Sequence, residues 1–403
     1  MGQRLEELMA RAETVPILRS GAERSLVAHK AEGSRVFDVD NAGYIDYLGA
    51  GGATIVGFAN QFILDAVRKV LQTGIPEGFH VAQEVDLAQT LGQFLPWVRS
   101  WWFCRNQDEA IRHVMRWARR TTGKKQFLVL DGGARLRIGA PADLADDRSN
   151  PIRPVPGWEV ERIVAALTAG GSKVAALIID PLMTRFGVIP PPDGALEEIS
   201  ATCRERGVLL VLDERVSGFR VHRGGYAARA GITPDVAVYG AALGGGFPLG
   251  AVAFREERLE PELEGDEMLP TPHPVSLAAA DALLSILKND SVYERLEERT
   301  EQLVDGLLGL AERFSRPMTI NRVGSVFAPY MSEEIIRDHR GLDESDGGAY
   351  RRLVGGLLAE GILLPQEPGK AAFLSSAHGA KDVEETLAAC ERVLLRLHQE
   401  DLP

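Results

Sequence analysis

The sequence predicts an α/β protein, in which helices pack on a mainly parallel sheet, with a smaller α+β domain near the C-terminus. From about residue 58, short β-branched runs alternate with stretches of helical periodicity, which is the pattern of helices that cover a parallel sheet. After Pro274 the alternation gives way to a long amphipathic stretch and then to mixed strands and helices. The chain has 403 residues, of which 45% are hydrophobic and 25% charged, so it is long enough for two hydrophobic cores.

Short apolar runs predict the buried strands of the sheet. They are Phe127–Leu130, Val174–Ile179, Val208–Leu212, Val236–Tyr239 and Gly250–Phe254. Helical spacing is clearest in three stretches between the runs, which are Asp108–Arg120, Trp158–Ala169 and Gly194–Arg206. The segment 131–156 is rich in Gly, Pro, Asp and Arg and is predicted to be a loop. Residues 275–314 form the long amphipathic stretch.

Composition argues against several classes of function. The formal net charge of -12 disfavours a surface that binds nucleic acid or an anionic membrane. No apolar run approaches the length of a membrane span, and the first residues lack a signal-peptide core, so we expect a cytoplasmic protein. The three cysteines are too scattered for a disulfide framework, and the eight histidines show no metal-ligand spacing. We therefore expect no metal.

Several segments, in the right order along the chain, resemble one known family. They are Val36–Tyr47, Val211–Arg220, Pro234–Ala251, Gly361–Pro365 and Ala372–His378. The second is similar to the family signature Asp-Glu-Val-x-Thr-Gly-Phe-Arg, and the third to the strand and glycine-rich turn around a cofactor lysine. The family is the class III, fold-type I aminotransferases, which depend on pyridoxal phosphate (PLP), and the resemblance is greatest to glutamate-1-semialdehyde 2,1-aminomutases.

The resemblance implies an architecture and an assembly. Fold-type I aminotransferases have a mainly parallel seven-stranded sheet covered by helices and a smaller α+β C-terminal domain. By this resemblance residues 1–57 form an N-terminal arm and small-domain segment, residues 58–290 the large domain, and residues 291–403 the small C-terminal domain. The family resemblance also implies a homodimer that acts on a small-molecule substrate.

Ala241 is the clearest departure from the family pattern. In relatives, a lysine that binds PLP follows the glycine at the position of Gly240. The methyl group of Ala241 can neither bond to a cofactor aldehyde nor carry a proton from a substrate carbon. The residue on which the family chemistry depends is therefore missing from this chain.

The segment that cradles the cofactor phosphate in relatives also differs. There the pattern is Ser-Gly-Thr, whereas this chain has Asn106, Gln107 and Asp108. Asp108 places a carboxylate where the phosphate belongs. Two unit charges of the same sign about 4 Å apart repel by roughly 4 kcal/mol at an effective dielectric of about 20. This substitution opposes phosphate binding.

The two faces of the cofactor ring lose their packing partners as well. After Phe127–Leu130 the family has Tyr-His-Gly, but here Asp131 follows, without an aromatic ring. The valine of the family signature corresponds to Arg215, while Asp213, which matches the acid opposite the ring nitrogen, is retained. Residues i and i+2 of a strand share a face, so Asp213 and Arg215 are expected to pair in the space of the ring.

Three further positions are candidate contacts with a substrate. His273 stands where the family has asparagine, and Lys370 falls on a glutamate of the aminomutase pattern. Arg19 lies near an arginine that binds substrate carboxylate in the aminomutases. Lys370 offers an amine to a substrate carbonyl if burial lowers its pKa.

These departures lead to an interpretation without PLP. We expect no cofactor, with Asp213, Arg215, Lys370 and Asp108 as catalytic residues. Arg19, His273 and Asp131 are expected to bind the substrate. The function predicted is a cofactor-independent acid-base enzyme, such as an isomerase, lyase or cyclase of bacterial specialised metabolism, which acts on a small anionic or carbonyl metabolite. The same charges are equally consistent with a defunct pocket filled by ion pairs.

Alternative interpretations remain open. The protein can be a non-catalytic subunit that forms a heterodimer with an active aminotransferase. It can bind pyridoxamine phosphate (PMP) without a covalent bond, as a few lysine-lacking dehydratases of the superfamily do. If Ala241 is an engineered replacement of lysine, it is a PLP- or PMP-dependent aminotransferase or aminomutase.

Overall fold

The structure is a computed structural model. It describes residues 26–76, 78–131, 152–184, 186–256 and 271–400, together with Arg4 and Glu7. Within these ranges, none of the helices combines the length and apolar character needed to cross a bilayer. Cys104, Cys203 and Cys390 are buried free thiols.

Strands and helices alternate along most of the described chain. The strands are β1 Ala28–Glu32, β2 Arg35–Asp38, β3 Gly43–Asp46, β4 Ser100–Cys104, β5 Gln126–Asp131, β6 Ile152–Pro156, β7 Val174–Ile179, β8 Leu209–Glu214, β9 Val236–Tyr239, β10 Gly250–Phe254, β11 Thr319–Val323, β12 Val326–Tyr330, β13 Ile362–Leu363 and β14 Ala372–Phe373. The helices are α1 Gln61–Thr73, α2 Ala82–Phe94, α3 Gln107–Thr122, α4 Val160–Gly170, α5 Ala195–Arg206, α6 Gly225–Arg229, α7 Pro274–Leu287, α8 Ser291–Arg313, α9 His339–Glu344, α10 Gly347–Ala359 and α11 Ala380–Glu400. Short helical turns lie at Gly49–Gly52 and Ala241–Gly244.

A seven-stranded sheet forms the centre of the molecule, in the order β4-β10-β9-β8-β7-β5-β6. The five neighbouring strands β9, β8, β7, β5 and β6 pair in parallel. At one side of the sheet β10 pairs antiparallel with both β9 and β4. All six residues of β7 and all four of β9 are buried, as expected for parallel strands covered on both faces. This arrangement confirms the predicted fold class.

Alternating strand residues build a core on each face of the sheet. On one face, α3 buries Ile111, Val114 and Met115 against residues such as Val211 and Val238. The other face belongs to the larger core, to which Leu210, Leu212 and Tyr239 contribute together with residues of α1, α2 and α7. Since side chains alternate along a strand, both faces of one strand are apolar, and the sheet must lie between two helical layers.

Two smaller sheets complete the fold. One has the order β1-β2-β3-β13, so that Ile362 and Leu363 near the C-terminal end pair in parallel with Ile45 and Asp46. The other has the order β11-β12-β14. Strands β1 to β3, which precede the central sheet in the chain, and strand β13, which follows it, therefore share one sheet. The domain boundaries after residues 57 and 290 stay predictions.

The structure corrects two predicted elements. The amphipathic stretch 275–314 is two helices, because the chain turns at Asn289, whose Oδ1 accepts a hydrogen bond from the backbone N of Ser291 at 3.1 Å. The segment 131–156 is not loop throughout, because β6 pairs in parallel with β5 as an edge strand. Pro154 is tolerated there because an edge strand leaves one row of backbone groups unpaired.

A buried arginine joins distant segments of the chain. The Arg220 guanidinium is 1% exposed, and its Nε and Nη2 donate to the carbonyl oxygen of Gly52 at 3.0 and 2.7 Å. Its Nη1 donates to the carbonyl of Leu374 at 2.8 Å and to Ser325 Oγ at 3.2 Å. These contacts connect the helical turn Gly49–Gly52 with two places in the three-stranded sheet: the turn between β11 and β12, and the end of β14. Burial lowers the pKa of Arg220 to about 9.

We predict that Arg220→Met destabilises the protein by about 2 to 4 kcal/mol, because it leaves buried carbonyls without donors. Denaturant unfolding of the two proteins measures the loss. Arg223→Met is the matched control, since Arg223 is more exposed and pairs with Asp290 near the surface, and its loss should be below about 1 kcal/mol. Equal losses in the two variants would contradict the role assigned to Arg220.

Candidate functional site

The ends of three neighbouring parallel strands define the candidate site. Asp180 directly follows β7, Asp213 is the penultimate residue of β8, and Ala241 lies two residues after β9. Since β7, β8 and β9 are adjacent and parallel, their carboxyl ends lie at one edge of the sheet. In open α/β sheets this edge is where ligands bind.

Arg215 is the centre of the charged group at this edge. Its Nε donates to Asp213 Oδ1 at 2.7 Å and its Nη2 to Asp213 Oδ2 at 2.7 Å, which is a bidentate pair. Its Nη1 donates to Asp108 Oδ1 at 2.8 Å. Burial opposes the positive charge, but Asp213 and then Asp108 outweigh it and raise the pKa of Arg215. The pairing expected from the spacing of Asp213 and Arg215 is therefore present, with Asp108 added.

Asp180 adds a third carboxylate near this pair. It accepts hydrogen bonds from the backbone N of Leu182 at 3.0 Å, and from the backbone N and the hydroxyl of Thr184 at 2.9 and 2.7 Å. Burial, followed by the charge of Asp213, raises the pKa of Asp180. We call Asp108, Asp180, Asp213 and Arg215 the carboxylate cluster. It holds three acids and a single base.

The N-terminus of α3 closes the cluster from the side. Asn106 caps the helix, because its Oδ1 accepts from the backbone N of Asp108 at 3.1 Å and of Glu109 at 2.9 Å. Glu109 in turn accepts from the backbone N of Arg105 at 2.9 Å. Two of the first backbone donors of this helix, those of Asp108 and Glu109, are thus bonded to the side chain of Asn106.

Gln107 contacts the turn that carries Ala241. Its Oε1 accepts from the backbone N of Ala241 at 3.0 Å. A Cβ added at Gly240 would lie 2.5 Å from the Gln107 side chain, so glycine is needed for this approach. From the sequence we identified Gln107 only as a departure from the phosphate cradle. The feature of the sequence that could have predicted the contact with Ala241 is the position of Gln107 at the start of a helix that faces the strand ends.

Other predicted residues lie in different surroundings. His273 caps α7, with its Nδ1 accepting from the backbone N of Val275 at 3.3 Å. Lys370 is half exposed and pairs with Glu367 at 3.5 Å, so the burial on which its predicted chemistry depended is absent. Asp131 ends β5 opposite Pro156. Arg19 lies outside the described residues. The catalytic and binding roles of all these residues stay predictions.

Glu214 organises the turn after β8. Its carboxylate is completely buried and accepts from the Ser217 hydroxyl at 2.8 Å and from the backbone N of Tyr226 and of Ala227 at 2.7 and 2.8 Å. A Cβ at Gly225 would lie 2.7 Å from both Glu214 oxygens. Burial, against these donors, raises the pKa of Glu214 to about 7. The acid fixes the backbone just beyond Arg215.

Comparison with known proteins identifies the family of this chain. Residues 146–367 match the family described as Aminotransferase class-III. The glutamate-1-semialdehyde 2,1-aminomutase of Ruminiclostridium cellulolyticum is 30% identical over 395 residues, which cover 92% of this chain and 90% of the aminomutase. The chain belongs to the class III aminotransferase family.

Solved structures agree with that fold. A structure described as a transaminase with PLP bound has a TM-score of 0.85 and 23% identity, and the match covers 99% of each chain. A glutamate-1-semialdehyde aminomutase from Pseudomonas aeruginosa, in a variant with alanine in place of a lysine and in complex with PMP, has a TM-score of 0.81 and 21% identity over 92% of this chain and 88% of the other. At these identities the likeness shows the fold.

The comparisons correct the prediction that the protein uses no cofactor. The family to which the chain belongs and the structures it resembles point to PLP or PMP, since one is described with PLP bound and another in complex with PMP. That prediction is wrong. The predicted isomerase, lyase or cyclase without PLP loses its support in the same way.

The two ends of the site differ in how well they fit such a cofactor. At the ring end Asp213 is in place, although both of its oxygens are bonded to Arg215. At the phosphate end the residues do not fit, because Asn106 occupies backbone donors of α3 and Asp108 adds a carboxylate. A phosphate dianion would meet bonded donors and a like charge there.

We predict that Arg215→Met destabilises the protein by about 3 to 5 kcal/mol, because it leaves Asp213 buried without its partner. Adding Asp213→Asn removes that unpaired charge, so the double variant should regain part of the loss. Denaturant unfolding of the single and double variants measures the coupling. Additive losses would contradict a direct pair.

The stability contributed by Glu214 should fall as the pH rises. A carboxyl whose folded pKa is raised binds its proton more tightly when folded, so its contribution is present below its ordinary pKa of 4.5 and is lost by about 7. The free energy of unfolding of the wild type, relative to Glu214→Gln, should fall by on the order of 3 kcal/mol across this range. Glu205→Gln, at an exposed position of α5, controls for loss of a charge. A constant difference across the range would contradict the shift.

Proposed function

We propose that this protein is an enzyme of the aminotransferase or aminomutase type, acting on a small amine or carbonyl compound with a pyridoxal-derived cofactor in its amine form. The observation that carries the proposal is Asp213, a largely buried acid at the carboxyl end of a central parallel strand. By family resemblance it is the partner of the cofactor ring nitrogen. The similarity to the Ruminiclostridium aminomutase over 92% of the chain supports this class of reaction.

The amine form suits a chain that has Ala241 in place of the family lysine. PMP carries its own amino group and needs no covalent bond to the protein. When bound, it supplies that group for transfer to a carbonyl carbon. The Pseudomonas variant with alanine in place of a lysine, in complex with PMP, supports retention of the amine form by this fold.

Arg215 and Asp108 regulate access to Asp213. Because Arg215 bonds both oxygens of Asp213, any ligand that approaches this acid must compete with a bidentate pair. Asp108 holds the third nitrogen of the guanidinium and is half exposed. If a ligand displaces Arg215 from Asp213, the guanidinium therefore keeps Asp108 as an ion-pair partner and does not become an unpaired buried charge.

The assembly that we propose is a cytoplasmic homodimer with a small-molecule substrate. A second candidate function is the non-catalytic subunit of a heterodimer with an active aminotransferase. It is favoured by one observation, that Arg215 already occupies Asp213 with good geometry. Co-purification with an active aminotransferase would support the heterodimer, and a stable homodimer without that partner would count against it.

We predict that PMP binds the purified protein without a covalent bond. Titration should add the near-ultraviolet absorbance of a bound pyridine ring and raise the melting temperature. Dialysis under denaturing conditions should remove the ligand. Asp213→Asn should weaken binding, because an amide cannot offer the ring nitrogen a negative charge.

A lysine restored at position 241 tests the same site with PLP. Ala241→Lys should retain PLP after reduction and denaturation, and peptide mass analysis should find the label at residue 241. The native lysines, such as the exposed Lys370, are the internal control for unspecific labelling. The proposal fails if wild type shows no PMP binding and the restored lysine gains no more label than Lys370.

A further inference from the structure

The residues at the phosphate end of the site do not fit the phosphate group of the cofactor that the family implies. This mismatch points to a different class of ligand. Asp108 follows the helix cap Asn106, and its Oδ1 is bonded to Arg215 at 2.8 Å. Its side chain is 49% exposed, so it is accessible from solvent. Among the described residues, no donor contacts its second oxygen, Oδ2. One carboxylate oxygen is therefore available to a ligand at this position.

Two backbone donors at the start of α3 that could hold an anion are already bonded. The backbone N–H groups of Asp108 and Glu109 donate to Asn106 Oδ1 at 3.1 and 2.9 Å. A phosphate that took these donors would displace the cap. The attraction of a helix N-terminus for anions is used within the chain itself.

Charge favours the same conclusion. The carboxylate cluster holds three acids, Asp108, Asp180 and Asp213, but only one basic group, the guanidinium of Arg215. An anionic ligand would add to that excess, whereas an ammonium group or a neutral hydroxyl would not. Arg215 cannot offset a phosphate without giving up Asp213 or Asp108, both of which it bonds at 2.7 to 2.8 Å.

We infer that Asp108 makes this end of the site select an unphosphorylated, amine-bearing ligand over its 5′-phosphate. Pyridoxamine, which has the ring and the amine of PMP and a hydroxyl in place of the phosphate, is the simplest probe of that class. The inference rests on the proposed function, because it assumes that a pyridoxal-derived ring binds at Asp213. Asp108 is then the residue that determines specificity at the other end.

Affinities for two ligands in two proteins test the inference. Dissociation constants for pyridoxamine and for PMP are measured by calorimetry with the wild-type chain and with Asp108→Asn. Wild type should prefer pyridoxamine by about tenfold or more, from repulsion between Asp108 and the phosphate. Asp108→Asn should gain about tenfold or more in affinity for PMP, with little change for pyridoxamine.

Asp65→Asn is the matched control, since it removes the same charge from an exposed ion pair with Arg68 on α1. It should leave both affinities unchanged. Tighter binding of PMP than of pyridoxamine by wild type, or an unchanged ratio in Asp108→Asn, would overturn the inference and leave the proposed function intact. If neither ligand binds wild type, the proposed function fails and the inference fails with it. Melting temperatures of the variants establish that each is folded.

Discussion

The parallel pairing of β7, β8 and β9 is the constraint on which the site depends. Three segments separated by tens of residues end at one edge of the sheet because their strands are neighbours with the same direction. Asp180, Asp213 and Ala241 are placed together by this pairing rather than by contacts of their own. The apolar character of the strands keeps the sheet between two helical layers, so the polar groups are confined to its edge.

Within that frame, Arg215 is the common ion-pair partner of Asp108 and Asp213. A buried guanidinium with two carboxylates is stable only while its partners stay in place, so substitution of any one of them alters the other two. The same residue bonds both oxygens of Asp213 and has Asp108 as its second partner. Glu214 fixes the turn that follows, through hydrogen bonds to Ser217 and to the start of α6.

The sequence was sufficient for the fold class, for five of the seven strands of the central sheet (β5, β7, β8, β9 and β10) and for the pairing of Asp213 with Arg215, because periodicity and spacing along one strand are local properties. It did not predict β4 or β6, which are sheet edges and whose pairing depends on distant partners. Nor did it predict that Lys370 would pair with Glu367 in solvent, since a position in a motif does not fix burial. The contact of Gln107 with Ala241 likewise joins residues far apart in the chain.

The edge strand β6 has a consequence for assembly. Its middle residue, Pro154, has no N–H, and Pro156 at its end has none either. A strand from another molecule that approached this edge would find gaps in the row of donors it needs, so the sheet is protected from growing into a fibre or a swapped ribbon at that side. Among the described residues, this side of the sheet therefore favours association of two copies through side chains over continuation of the central sheet.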